Sequence, residues 1–125
     1  MKKPKILVVD DQKNVLEVLK AIVENEGFEA ILARNGYEAL EELNANPVDI
    51  VITDINMPEM DGFALLQLIR KRFPALPVIV MTGYYDIYTK EEALAKGATA
   101  FLHKPFRAQE VLELISKELA VTYET

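Results

Sequence analysis

Ile6-Leu7-Val8-Val9-Asp10-Asp11 decides how the rest of the chain is read. Its apolar run is rich in β-branched residues and does not alternate with polar ones, the pattern of a strand covered on both faces in a parallel sheet. Two acids then end it. The run is far too short for a signal peptide or a membrane span, even though Met1-Lys2-Lys3-Pro4-Lys5 ahead of it is basic. Ile50-Val51-Ile52 and Val78-Ile79-Val80-Met81 repeat the pattern, and Ala30-Ile31-Leu32-Ala33 and Ala100-Phe101-Leu102 are weaker versions of it.

Between these runs the apolar spacing turns helical. Val15, Leu19, Ile22 and Val23 line one face of a first helix that ends at Gly27, a natural C-cap. A second starts after Asn35, with Glu38 as its capping partner and Ala39, Leu40 and Leu43 facing inward. A third runs from about Gly62 to Arg72 through Leu65, Leu66 and Ile69, and stops before Pro74. The fourth, near Lys90 to Lys96, is opened by the capping box Thr89-Lys90-Glu91-Glu92 and closed by Gly97. The fifth carries Val111, Leu112, Ile115 and Leu119, and the tail from Ala120 to Thr125 is expected to fray. Strand and helix thus alternate five times with short connections, the signature of a doubly wound α/β domain. A single domain over residues 1–125, with its core at about 5–119, is expected.

Composition agrees with that class. The chain has 125 residues, half of them apolar and 27% charged, which suits one globular domain. It has no Cys, so disulfides, thiolate metal sites and cysteine nucleophiles are excluded. With 14 Lys and Arg against 20 Asp and Glu, the net charge of −6 argues against broad nucleic-acid binding, which needs a basic footprint. A soluble, cytoplasmic protein is the expectation, with no membrane contact.

Ligands of open parallel sheets bind beyond the carboxyl ends of the strands, where the strand order reverses. The strands here end in Asp10-Asp11, Asp54, Thr82-Gly83 and Lys104-Pro105. Right-handed crossovers would set the first and third strands side by side and gather Asp10, Asp11 and Asp54 in one pocket. Three carboxylates so close repel one another, and a hard divalent cation with a preference for oxygen ligands relieves the conflict. Lys104 adds a positive charge at the same rim and Thr82 a hydroxyl. That set stabilises charge on a transferring phosphoryl group by positioning and electrostatics.

These residues carry a resemblance. Asp10-Asp11 in ILVVDD, Asp54 in ITDINMPEMDG, Thr82 in VIVMTG and Lys104 in FLHKPF together resemble the receiver domain of two-component response regulators over roughly Lys5 to Leu119. The resemblance implies a flavodoxin-like five-stranded parallel sheet in the order 2-1-3-4-5, flanked by five helices. It implies Asp54 as the phosphoacceptor, and Mg²⁺ (with Mn²⁺ as a substitute) bound by Asp11, Asp54 and the Asn56 backbone carbonyl, with Asp10 acting through a water. Lys104 would contact the phosphoryl group, and Thr82 would turn toward it once it is formed. Phe101 holds the aromatic switch position, and the Lys104-Pro105 bond is expected to be cis. The implied partners are a sensor histidine kinase or histidine phosphotransfer domain, and a downstream protein or fused output domain reading the surface of helix four, strand five and helix five. Phosphorylation-dependent pairing of two copies is left open, as is the choice between a stand-alone regulator and one part of a longer chain. Gly83 would leave the approach to Asp54 open, Tyr84 would shield the phosphorylated site from water, and Asn56 would orient an attacking water.

Plainer readings stand beside these. In one of them Asp10-Asp11 serve only to cap the first helix. Phe101 and His103 suit core or rim packing, and Tyr84, Tyr85 and Tyr88 suit cover for the loop before helix four. Three other functions compete: a receiver-like binding module without phosphorylation, a Mg²⁺-dependent phosphatase with an aspartate nucleophile, and a flavin-binding domain. The phosphatase expects a second acid where this chain has Asn56, and in the flavin reading Asp10-Asp11 would repel the phosphate.

Overall fold

A computed structural model describes residues 3–83 and 90–123. Five parallel strands, β1 (Lys5–Val9), β2 (Glu29–Ala33), β3 (Ile50–Asp54), β4 (Val78–Thr82) and β5 (Ala100–His103), form one sheet in the order β2-β1-β3-β4-β5. Helices α1 (Lys13–Asn25), α2 (Gly36–Ala45), α3 (Gly62–Arg72), α4 (Lys90–Ala95) and α5 (Ala108–Tyr123) alternate with them. This is the expected doubly wound fold.

The two faces of the sheet follow from side-chain alternation along each strand. Ile6, Val8, Ile50, Ile52, Ile79, Met81 and Leu102 pack under α1 and α5. Leu7, Val9, Val51, Val78 and Val80 pack under α2, α3 and α4. β3 and β4 are buried along their whole length, which is why their runs are uniformly apolar. β2 and β5 lie at the sheet edges and are only partly covered, so their sequence signals are weak.

Most helix ends sit within a residue of expectation, and the differences have local causes. The buried stripe of α1 is Leu16, Leu19 and Val23, with Val15 and Ile22 on its flanks, so Leu16 belongs to the core in place of the two flanking residues. Neither acid caps α1. Gln12 is its N-cap, without a side-chain bond, while Asp10 accepts the Gln12 N–H at 2.9 Å. In α2 the Asn35 side chain accepts from the Glu38 N–H at 2.8 Å, whereas Glu38 reaches one residue past the cap and accepts the Arg34 N–H at 2.8 Å. Leu40 in α2 and Leu112 in α5 are half-buried. Helix α4 ends at Ala95, one residue before Lys96, and Gly97 follows at φ 104°. Thr89 of the expected capping box lies outside the described residues. Helix α5 continues to Tyr123, past the point where fraying is expected.

One side chain fastens the end of the sheet opposite the acid cluster. Arg70 donates to the Gly97 and Leu76 carbonyls and, at 3.2 Å, to the Thr99 hydroxyl, which also accepts the Val78 N–H at 3.0 Å. It ties α3 to the starts of β4 and β5, and it saturates carbonyls that the turns leave without partners.

Candidate functional site

The three acids converge because β1 and β3 are adjacent and in register, Val9 opposite Thr53, so both strands end at the same level. Asp10 is fully buried, Asp54 nearly so, and Asp11 is exposed. A carboxylate oxygen from each lies within 4.8 Å of the others, an all-oxygen donor set that can hold a metal ion.

β5 brings the counter-charge. The Lys104 N–H donates to the Thr82 carbonyl at 2.8 Å, continuing the β4–β5 ladder, and the Lys104-Pro105 bond is cis. The ammonium donates to Asp10 Oδ2 at 2.8 Å and stands 3.5 Å from Asp54 Oδ1. One ammonium thus meets two of the three carboxylates, Asp10 and Asp54. Burial, followed by the charge of Asp10, lifts the Asp54 carboxyl from its usual 3.8 to about 6 against the pull of Lys104. Burial alone would depress the Lys104 ammonium, but its hydrogen bond and charge contact with Asp10, joined by Asp54, push it upward overall.

A cavity of about 260 Å³ opens over these groups, walled by Asp11, Gln12, Asp54, Asn56, Gly83 and Lys104. Asp10 and Thr82 are fully buried at the strand ends beside it. Phe101 is not on its wall. The ring is half-buried on β5, packs against the α2–α4 side of the core and meets His103 edge-on, with centroids 5.0 Å apart and planes at 88°. Tyr84, Tyr85 and Tyr88 lie outside the described residues, and the shielding expected of Tyr84 with them. Gln12 is a wall residue that was not singled out in the sequence, where its position directly after the acid pair was the available signal.

The loop from β3 to α3 fixes the floor. Gly62 donates its N–H to the Ile55 carbonyl at 2.7 Å, and a Cβ on Gly62 would run into the Asp54 carbonyl oxygen. Only glycine lets α3 begin this close to the backbone of Asp54. Asp61 caps α3 by accepting the Ala64 N–H at 2.8 Å. Glu59 turns the loop with φ at 70°, a conformation that costs an L-residue about 1–2 kcal/mol. Glu59→Gly is therefore expected to stabilise the protein by about 0.5–1 kcal/mol, after the extra backbone freedom of glycine in the unfolded chain is subtracted. Urea unfolding should show a higher midpoint at unchanged slope, and an unchanged or lower midpoint would contradict the strain at this position.

Comparisons with known proteins agree with this geometry. The family described as response regulator receiver domain matches residues 6–116. A putative response regulator NtrX-like of Rickettsia bellii is 37% identical over 119 residues, covering 94% of this chain and 25% of the relative. The DNA-binding transcriptional regulator NtrC of Proteus hauseri is 37% identical over 123 residues, covering 98% and 26%. The chain thus spans about a quarter of the length of the curated relatives it matches. Among solved structures, a CheY-like receiver domain protein from Methanospirillum hungatei superposes with a TM-score of 0.91 at 31% identity, covering 98% of both chains. A receiver domain protein from Clostridium thermocellum gives 0.88 at 35%, covering 95% of this chain and 96% of that one.

Proposed function

This chain belongs to the response regulator receiver domain family, and on that premise we propose that Asp54 accepts a phosphoryl group and that its phosphorylation switches the surface of α4, β5 and α5. The observation that carries the proposal is the Asp10–Lys104–Asp54 arrangement at the mouth of an open cavity. With its carboxyl near 6, Asp54 is roughly nine-tenths ionised at pH 7 and available as a nucleophile. A carboxylate oxygen attacks phosphorus in line. The new O–P bond makes an acyl phosphate, while the bond to the donor breaks and its electron pair leaves on the imidazole nitrogen of a phosphohistidine or on the acetate of acetyl phosphate.

Lys104 is placed to take up negative charge on the phosphoryl oxygens, and Asp10 holds it there. Mg²⁺, or Mn²⁺ in its place, would be held by Asp11, Asp54 and the Asn56 backbone carbonyl, with Asp10 acting through a water, and supplies positive charge at the phosphoryl group. Asn56 and Gly83, both on the cavity wall, set access and the lifetime of the acyl phosphate. Thr82 then turns toward the phosphoryl group, and Phe101 responds on β5. The donor is a sensor histidine kinase or histidine phosphotransfer domain in the cytoplasm, and the reader is a downstream protein or an attached output domain. Nucleic acid is not contacted by this domain. Among the described residues, no helix is long and apolar enough to cross a membrane.

Intact mass after incubation with acetyl phosphate and Mg²⁺ tests the proposal, with Asp54→Ala alongside. Gain of one phosphoryl group by the wild type alone is the expected result. Absence of a gain with acetyl phosphate, with phosphoramidate and with a phosphorylated kinase would overturn it in favour of a binding module on the same fold.

A further inference from the structure

We infer that Met60 is a site of oxidation by peroxide, and that its sulfoxide unseats the β3–α3 loop from α2 and slows phosphorylation of Asp54. The second half rests on the phosphorylation reading above. Gly36, the first residue of α2, is buried, and the Met60 side chain fills the space where a Cβ on Gly36 would stand. The Met60 sulfur is the nearest atom to that point, and Cγ and Cβ of Met60 follow at 3.0 and 3.2 Å. α2 thus meets the loop through a thioether laid on a glycine. Met60 also packs against the buried cluster that contains Ala39, Met57 and Phe63. Its backbone is held in a tight turn, with Glu59 beside it at φ 70° and its own N–H donated to the Pro58 carbonyl at 2.8 Å. Two residues on, the Gly62 N–H closes the loop onto the Ile55 carbonyl at 2.7 Å. A displaced Met60 therefore pulls on the closed turn that carries Asn56 on the cavity wall.

Access singles out the same residue. Of the three methionines among the described residues, Met57 and Met81 are 8% and 0% exposed, whereas Met60 is half-buried and open in part to solvent. The chain has no cysteine, so no thiol competes for an oxidant. With hydrogen peroxide, a sulfur lone pair attacks one peroxide oxygen. The S–O bond forms as the O–O bond breaks, and the other oxygen leaves as hydroxide and takes up the released proton to become water. Sulfur is oxidised by two electrons and the peroxide is reduced. The sulfoxide is polar, and neither the Gly36 α-carbon nor the apolar cluster offers it a hydrogen bond. The oxidised side chain turns to water, and the loop loses its seat on α2.

The test is limited treatment with hydrogen peroxide, quenched with free methionine and read by peptide mass mapping. Met60 is expected to gain one oxygen roughly fivefold faster than Met57 or Met81. In the oxidised protein the urea midpoint falls by about 0.5 M. Uptake of a phosphoryl group from acetyl phosphate, followed by intact mass, slows roughly threefold as the loop shifts. Met60→Leu keeps the side-chain volume and should hold both values through the same treatment. Met60→Gln places a polar amide on Gly36 and should lower both without peroxide. Methionine sulfoxide reductase with a thiol reductant should restore the oxidised wild type, and this arm decides in place of Met60→Leu should that variant not fold. Equal oxidation of the three methionines overturns the inference, as does an oxidised Met60 with an unchanged midpoint or an unchanged rate. So does a Met60→Leu that loses as much as the wild type, or an oxidised wild type that the reductase does not restore. An untreated wild type that takes up no phosphoryl group overturns the phosphorylation reading instead, while the order of oxidation and the midpoint still decide on Met60.

Discussion

Lys104→Met is expected to lower stability by about 3–5 kcal/mol, the usual result of removing one partner from a buried ion pair. Asp10 has no exposed surface, and the Lys104 ammonium donates to it at 2.8 Å. Methionine fills much of the same volume, so the loss comes from stranding a carboxylate in the interior. Asp54, 3.5 Å from the same ammonium, loses attraction too, and its carboxyl climbs further. The sign with pH follows from Lys104. Its ammonium is raised above the usual 10.5 in the folded protein, so its contribution to stability is full at pH 7 and is lost as pH rises through that elevated value. Urea unfolding of both proteins at pH 7 in EDTA measures the cost. Asp10→Asn introduced alongside should recover part of it, because the fully buried Asp10 charge is then removed and only Asp54 is left without the ammonium. A cost below 1 kcal/mol, or no recovery in the double variant, would contradict the role given to the pair.

The second large effect runs the other way. Asp54→Asn is expected to stabilise the protein at pH 7 by about 2–3 kcal/mol while abolishing phosphorylation. Folding lifts the Asp54 carboxyl from 3.8 to about 6, through burial first and Asp10 second, so the folded state holds the proton more tightly than the unfolded chain. Stability therefore falls as pH rises from about 4 through 6, and above that Asp54 imposes a constant cost of roughly 3 kcal/mol. Asparagine removes the charge at nearly constant shape. The gain should shrink to a few tenths of a kcal/mol at pH 3.5, where the carboxyl is protonated in the folded protein and about two-thirds protonated in the unfolded chain. Mg²⁺ should narrow the gap at pH 7, since a cation among three carboxylates stabilises the wild type more than the variant. Urea titrations at the two pH values, with Mg²⁺ or EDTA, check each part. A variant less stable than wild type at pH 7 would show that the interaction with Lys104 outweighs burial and repulsion at Asp54.

How much of this was legible depended on whether a residue's task is local. Ile6–Val9, Ile50–Ile52 and Val78–Met81 announce central strands because burial on both faces leaves no room for polar alternation. The Gly62–Arg72 helix stops ahead of a proline that was readable in the sequence, while its Asp61 cap emerged only from the structure. The site acids were readable because parallel strands bring their ends to one edge of the sheet. Leu16 escaped because Val15 and Leu16 compete for the same stripe, and only packing against α5 and the sheet decides between them. The Glu38 contact moved from the cap to Arg34 because a long side chain can satisfy either N–H without changing the helix start. Arg70 left no mark at all. Its partners are chiefly carbonyls of turns, one 6 and the other 27 residues away, and a carbonyl looks the same whatever residue carries it.

Gly62 has a consequence for how such domains exchange parts. Because α3 begins against the Asp54 carbonyl oxygen and Gly62 closes the loop onto Ile55, residues 54–62 form one indivisible block. A chimera that joins two relatives inside this block mixes a strand end from one parent with a helix start shaped to the other. Crossovers placed in the Asn46–Asp49 or Phe73–Pro77 connections leave the block whole. Inherited intact, it keeps Asp54 at one depth while the helices around it are free to diverge, and surface features can be traded between domains without disturbing where Asp54 sits.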